Sequence, residues 1–177
     1  STSPMRELKN LPLPEGGASP PLEPGFRAPV LANRAYRQAV QTAGGVPVSV
    51  ALERTDGDYS RLETAVFADE HTGSAANFAY TERWLKFALW AYGGWRVHYS
   101  GPRQLGEQLQ AHYRDSAVGR FDAEVMGERV YERPFELSIV DAGEVPQEGD
   151  ASSPLGRHLD GCRIGFDLGA SDRKAAA

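Results

Sequence analysis

The chain has one cysteine, Cys162, in 177 residues. An internal disulfide is therefore impossible, a reducing compartment is the expected environment, and Cys162 reads as a small buried strand residue. No apolar run approaches the roughly 20 residues that a bilayer span requires, and the N-terminal stretch lacks the apolar middle region of a signal peptide. A cytoplasmic protein with no membrane contact is expected. Basic charge is also scarce: 19 Lys and Arg stand against 24 Asp and Glu, a net charge of −5. With no basic stripe to neutralise phosphates, nucleic-acid binding is not expected. The four histidines, His71, His98, His112 and His158, show no H-x-x-x-H spacing and no cysteine pair beside them, which argues against a zinc site. They read as surface or hydrogen-bonded residues.

What is present reads as an α+β or α/β protein in four stretches. Residues 1 to 29 hold seven of the twelve prolines and no apolar period, the composition of an extended arm that cannot repay its ordering entropy by burial. Residues 30 to 140 read as an α/β accessory domain. Within it Leu31, Ala35 and Ala39 suggest a short helix closed by Gly44-Gly45, and Val48, Val50 and Leu52 begin a hairpin that turns at Asp56-Gly57. Residues 74 to 92 read as a helix apolar nearly all round, with Glu82 and Lys86 paired on its polar strip and Gly93-Gly94 as its stop. Trp95, Val97 and Tyr99 alternate as a strand, a helix follows from Pro102 to about Tyr113, and Phe135, Leu137 and Ile139 form another strand. The polar, acidic stretch 141 to 156 reads as a linker or surface loop, and residues 157 to 177 begin a new unit.

Several groups are candidates for chemistry. "YSGPRQ", residues 99 to 104, runs from strand to helix N-terminus and offers an anion site assisted by Arg103, or else an ordinary turn. Asp69 and Glu70 beside His71 offer an acid–base group, or a solvated loop. Trp84, Phe87, Trp90, Tyr92 and Trp95 offer a stacking surface, or core and interface packing. The stretch "RIGFDLGASDRK" is the most specific. A strand ending at Asp167, a Gly-small-Ser turn and a second strand near Lys174 would converge backbone N–H groups on one point, as phosphate-binding turns do. Asp167 would meet a phosphate-bound Mg²⁺ through water, and Ser171 and Lys174 would add a donor and a positive charge. Asp-x-Gly turns also close hairpins that bind nothing, so both readings stand on spacing alone.

"IGFDLGASDRK" resembles the first phosphate-binding segment of the actin-like, sugar-kinase and heat-shock-type ATPase superfamily. It is most similar to that of the ROK (repressor, open reading frame, kinase) group, whose pattern is Asp-x-Gly-Gly-Thr-x-x-Lys. Asp167, Gly169, Ser171 and Lys174 match, with Ser in place of Thr, and Ala170 departs from the second glycine. The preceding "TERWLKFALWAYGGWRVHYSGP" and "FDAEVMGERVYERPFELSIV" resemble the N-terminal extension of some larger ROK-like proteins. The resemblance implies a ribonuclease-H-like fold beginning at this hairpin. It also implies an ATP and Mg²⁺ site in a parent sugar kinase, with Asp167, Gly169, Ala170, Ser171 and Lys174 as cofactor-binding residues and Asp167 toward the metal. The family's catalytic residues lie downstream of this segment, so the resemblance implies that the present chain is a truncated, inactive part binding no nucleotide tightly. Its partner would be the remainder of the kinase domain or another chain. The alternative is a non-catalytic module, built on the βαβα segment from Val46 to Tyr113, that recognises a partner protein or a small anion.

Overall fold

In the computed structural model, residues 29–149, 165–168 and 173–176 are described. Helix α1 (Pro29–Ala43) leads into β1 (Val46–Thr55) and β2 (Asp58–Val66); a 3₁₀ turn (Thr72–Ala76) then precedes α2 (Asn77–Tyr92). Strand β3 (Arg96–Ser100) is followed by α3 (Arg103–Asp115), α4 (Ala117–Glu124), a π-helical turn (Val125–Tyr131) and β4 (Glu136–Ile139). A second 3₁₀ turn (Ala142–Glu144) follows β4, and further on β5 (Gly165–Leu168) pairs with β6 (Arg173–Ala176). The architecture is mixed α+β: a four-stranded sheet of order β2-β1-β3-β4, antiparallel except for the parallel β3–β4 pair, and a separate two-stranded sheet.

Side-chain alternation divides the four-stranded sheet into two unlike faces. Val48, Val50 and Leu52 on β1 and Val97 and Tyr99 on β3 are fully buried, and they join Tyr36 and Val40 of α1, Leu85 and Leu89 of α2, and Leu105 and Leu109 of α3 in one core. All three helices thus cover the same face. Both glycine stops are used: Gly44 at φ +73° and Gly93 at φ +77° take positive-φ conformations, open to glycine, that release the chain from a helix end. Gly93 donates to the carbonyl of Leu89 at 2.9 Å as it does so.

The expected helix from 74 to 92 divides into the 3₁₀ turn and α2, and its apolar character is only partly spent on the core. Leu85, Ala88 and Leu89 are fully buried, whereas Phe87, Trp90 and Tyr92 are 67%, 50% and 49% exposed. The reason is one-sided packing, since the sheet and α3 occupy one flank of α2. No local signal predicts an element over 117–131; α4 and the π-helical turn fill it.

A polar side chain ties the helical layer together. Asn77, 4% exposed, accepts from the Tyr36 hydroxyl at 2.6 Å and from the Phe67 N–H at 3.1 Å, and donates to the Phe67 carbonyl at 2.8 Å. Tyr36 in turn stacks on Tyr80 with ring centroids 4.1 Å apart and meets Phe67 edge-on at 5.3 Å. The start of α2, the end of β2 and the middle of α1 are therefore held at one point.

The opposite face of the sheet is polar and carries a strap. After β4, Asp141 and Glu144 form a reciprocal capping box. Arg61 then donates to the Val145 carbonyl at 2.9 Å, and Gly149 exchanges backbone hydrogen bonds with Tyr59 on the outer edge of β2. Val145 and Ala51 are both buried yet stand outside the main core. The stretch expected to be a linker or surface loop is thus, over 141–149, a surface loop tied to the sheet from one edge to the other.

Truncating Asn77 to Ala strands the Tyr36 hydroxyl and both Phe67 backbone groups in the interior. The expected loss, at about 1 to 3 kcal/mol for each buried group left unpaired, is at least roughly 3 kcal/mol in urea unfolding. Alkaline pH supplies a second check. Burial pushes the phenols of Tyr36, Tyr99 and Tyr113 well above the ordinary tyrosine range. Unfolded tyrosines ionise near pH 10, so the stabilisation that these three provide is complete below that pH and is withdrawn as pH rises toward the folded values. Stability should fall by about 1.4 kcal/mol per pH unit per buried tyrosine above roughly pH 10. Phenolate absorbance should show these three residues ionising only as the chain unfolds.

Candidate functional site

The segment with the strongest sequence signal is framed by backbone pairing. Strands β5 and β6 are antiparallel, with Asp167 opposite Lys174 and Leu168 opposite Arg173 as the pair nearest the turn. The expectation of a strand through Asp167 and a second strand including Lys174 agrees with this pairing. Gly169, Ala170 and Ser171, together with Cys162 and His158, lie outside the described residues.

The other candidates take structural roles. At "YSGPRQ", Pro102 is the N-cap of α3 and its carbonyl accepts from both the Gly106 N–H and the Tyr99 hydroxyl. Arg103, 83% exposed, pairs with Glu107 one turn along the helix at 2.9 Å. The guanidinium is thus engaged on the helix surface, and the stretch is an ordinary strand-to-helix turn. His71 stacks on Phe67 at 4.4 Å, and its Nδ1 accepts from the Gly73 N–H at 2.9 Å, capping the first 3₁₀ turn. His71 thus serves as the cap of this turn, with Nδ1 occupied by the Gly73 N–H. Among the described residues no group of three or more His, Cys, Asp or Glu is placed to hold a metal ion.

Ionic clusters that spacing did not reveal appear where the topology brings distant segments together. On the polar face of the sheet, Glu53 is 6% exposed, with His98 Nε2 at 3.2 Å and an Arg96 nitrogen at 3.9 Å. Arg96 also reaches Glu136 at 2.9 Å, so β1, β3 and β4 are cross-linked by a chain of alternating charge. Glu53 and Arg96 are directly opposite in the β1–β3 register, and His98 is two residues along the same face. Cross-strand neighbours of this kind are invisible until the register is known.

A second cluster corrects the expected Glu82–Lys86 pair. Lys86 reaches Asp122 of α4 at 2.8 Å, and Trp90 Nε1 donates to the same carboxylate at 3.1 Å. Glu82 faces His112 of α3 instead, at 3.5 Å. His112 Nδ1 lies 3.1 Å from the Ser116 hydroxyl, whose oxygen accepts from the Gly119 N–H and caps α4. Helix α4 supplies the better partner because its buried carboxylate, Asp122, requires a counter-charge.

The aromatic set divides three ways. Trp95 is buried, with the guanidinium carbons of Arg133 and Arg96 at 4.9 and 5.6 Å from its ring centre. Trp84 packs half-buried against the core, while Phe87, Trp90 and Tyr92 are exposed on α2 as Val118 and Phe121 are on α4. Two clefts beside α2 have ligand-sized volumes. One, about 580 Å³, lies between the first 3₁₀ turn and α3 and is lined by Ser74, Phe78, Gln108 and His112. The other, about 520 Å³, lies between α1, β2 and α2.

Removing the counter-charge of Asp122 tests the cluster at α4. Lys86→Met leaves a carboxylate 1% exposed with only the Trp90 N–H; a loss of about 3 kcal/mol is expected. Adding Asp122→Asn should recover more than half of that loss in equilibrium unfolding. A double variant no more stable than Lys86→Met would mean that the buried charge is not the origin of the loss.

Comparison with protein-family models, with curated proteins and with solved structures returns no match to this chain.

Proposed function

We propose that this chain is the N-terminal part of a ROK-like sugar kinase, in which residues 30–140 form an accessory domain, joined through 141–156 to the first phosphate-binding hairpin of a ribonuclease-H-like, actin-like ATPase fold. The observation that supports this reading is the antiparallel register of β5 and β6, which sets Asp167 opposite Lys174 on either side of the Gly169–Asp172 stretch. Asp and Lys at these two positions are the outer members of the pattern that the ROK resemblance rests on. In the parent protein, ATP and Mg²⁺ would supply the γ-phosphoryl group and its charge neutralisation. Asp167 would hold the metal through water, Gly169, Ala170 and Ser171 would present backbone and hydroxyl donors, and Lys174 would add a positive charge. Phosphoryl transfer to a sugar hydroxyl also needs a nucleotide pocket and a residue that orients the acceptor. Those parts would come from further residues of the parent.

A second reading is a non-catalytic module that recognises a partner protein or a small anion. The exposed Phe87, Trp90 and Tyr92 on α2 and Phe121 on α4 favour it, because large apolar side chains grouped on adjoining helices characterise interaction surfaces.

On the first reading, Mg²⁺–ATP should shift backbone amide resonances of residues 167–174 weakly and only when the metal is present, and Asp167→Asn should abolish the shift. The polypeptide alone should neither hydrolyse ATP nor phosphorylate hexoses. Shifts confined to 29–149, or shifts indifferent to Asp167, would overturn the reading; so would metal-dependent turnover by this polypeptide.

A further inference from the structure

Helices α2 and α3 bring together a hydroxyl, an imidazole and a carboxylate whose arrangement the helix cap at Ser116 does not require. His112, on the last turn of α3, stands between the other two: its Nδ1 is 3.1 Å from the Ser116 hydroxyl and its Nε2 is 3.5 Å from a Glu82 carboxylate oxygen. The tautomer follows from these partners. An ionised carboxylate only accepts, so the proton is on Nε2, facing Glu82, and Nδ1 accepts the Ser116 O–H. The imidazole and the carboxylate are mostly buried, and the ring meets Phe78 and Tyr113 edge-on. Ser116 is half-buried at the corner between α3 and α4, with Ala117 and Val118 exposed beyond it. The Ala117 and Val118 N–H groups, in the first turn of α4, have no acceptor within that helix. His112 is also a wall of the 580 Å³ cleft beside α2. That cleft follows two stripes at one-turn spacing: Ser74 and Phe78, of which Glu82 is the next member, and Gln108 and His112, of which Ser116 is the next. A smaller cleft of about 220 Å³, sharing Ser74 and Gln108, extends it toward Asp69 and Gln104.

We propose that Ser116, His112 and Glu82 hydrolyse small carboxylic esters, with Ser116 as nucleophile, His112 as general base and acid, and Glu82 as the residue that positions the imidazole. The Ser116 oxygen attacks the ester carbonyl carbon, and as the new bond forms its proton passes to His112 Nδ1. The bond from that carbon to the alcohol oxygen then breaks, and the leaving oxygen takes the proton from Nδ1. Water attacks the acyl-serine and gives a proton to Nδ1; the serine oxygen recovers it as the carboxylic acid departs. In both steps Glu82 faces the Nε2–H and offsets the positive charge on the ring. The Gly119 N–H, which donates to the Ser116 oxygen at 2.9 Å, favours that oxygen as it gains negative charge. The N–H of Ala117, directly after the nucleophile at a helix N-terminus, supplies a donor for the developing oxyanion. Phe78 and Ala111 in the cleft suit an apolar acyl group over a charged one.

The test uses the whole chain with p-nitrophenyl acetate and p-nitrophenyl butyrate as substrates and an alkyl fluorophosphonate as an irreversible probe. Both esters should be turned over, and peptide mass mapping should find the phosphonyl group on Ser116. Ser116→Asn retains a good helix N-cap and removes the nucleophile. It should abolish the label and lower kcat/KM by about 100-fold or more, and His112→Gln should lower kcat/KM by a similar factor. Glu82→Gln should lower kcat by about tenfold or more with KM unchanged, and Glu82→Asp should restore part of the loss, a split that a purely structural role would not produce. Circular dichroism and urea unfolding verify that each variant is folded. Absence of ester turnover, a phosphonyl group on a residue other than Ser116, turnover undiminished in folded Ser116→Asn or His112→Gln, or an effect of Glu82→Gln on KM alone would each overturn the proposal.

Discussion

The helical layer of this protein depends on a buried amide. Asn77 satisfies three groups from two other segments: the Tyr36 hydroxyl and both backbone groups of Phe67. Phe67 follows directly after β2, where the chain leaves the sheet and its backbone would otherwise be buried without partners. By pairing with both of those groups at once, Asn77 satisfies the last buried backbone of the sheet before the chain turns out through the exposed residues 69–72 and returns at α2. The aromatic contacts among Tyr36, Phe67 and Tyr80 then determine how α1 lies against α2. An apolar residue at 77 would give the same hydrophobic contact area and leave that crossing unsatisfied.

The two faces of the four-stranded sheet are stabilised differently. Toward the helices, fully buried Val, Leu and Tyr side chains exclude water. On the other face Glu53, His98, Arg96 and Glu136 link three strands, and the 141–149 strap crosses to the edge of β2. The strap occupies the backbone groups of Tyr59, so the edge strand is partly closed to another chain. The exposed apolar groups of α2 and α4 are on the helical side, where no strand or helix among the described residues covers Phe87.

Much of the element order was legible. Glycine stops at 44 and 93, the Asp56-Gly57 turn, the alternation at 48–52 and 95–99, and the proline that opens α3 are local signals, and each acts within a few residues of chain. The second half of the connection between β3 and β4 was not legible. "SAVGRFDAEVMGERVY" carries a serine cap, yet its valines and glycines weaken helix propensity, and a π-helical turn has no sequence period of its own. The ionic partners were the least accessible part. Glu82 and Lys86 satisfy the one-turn spacing rule, but the gain from such a pair on a helix surface is a few tenths of a kcal/mol. A buried carboxylate from α4 outweighs it.

For the candidate sites, the strand-turn-strand pattern around Asp167 and Lys174 was evident from residue types alone, because hairpin pairing is set by alternation and turn residues only a few positions apart. The cleft lined by Arg37, Thr64 and Trp84 had no sequence signature. Its residues are spread over 48 positions of sequence and belong to three elements. What the sequence by itself determined is the set of short-range structures, since caps, turns and alternation are energies of neighbouring residues. Tertiary structure alone decided which charges are buried, which aromatics remain exposed and which side chains share a cleft. Those properties depend on what packs against each element, and packing partners are chosen by the whole core.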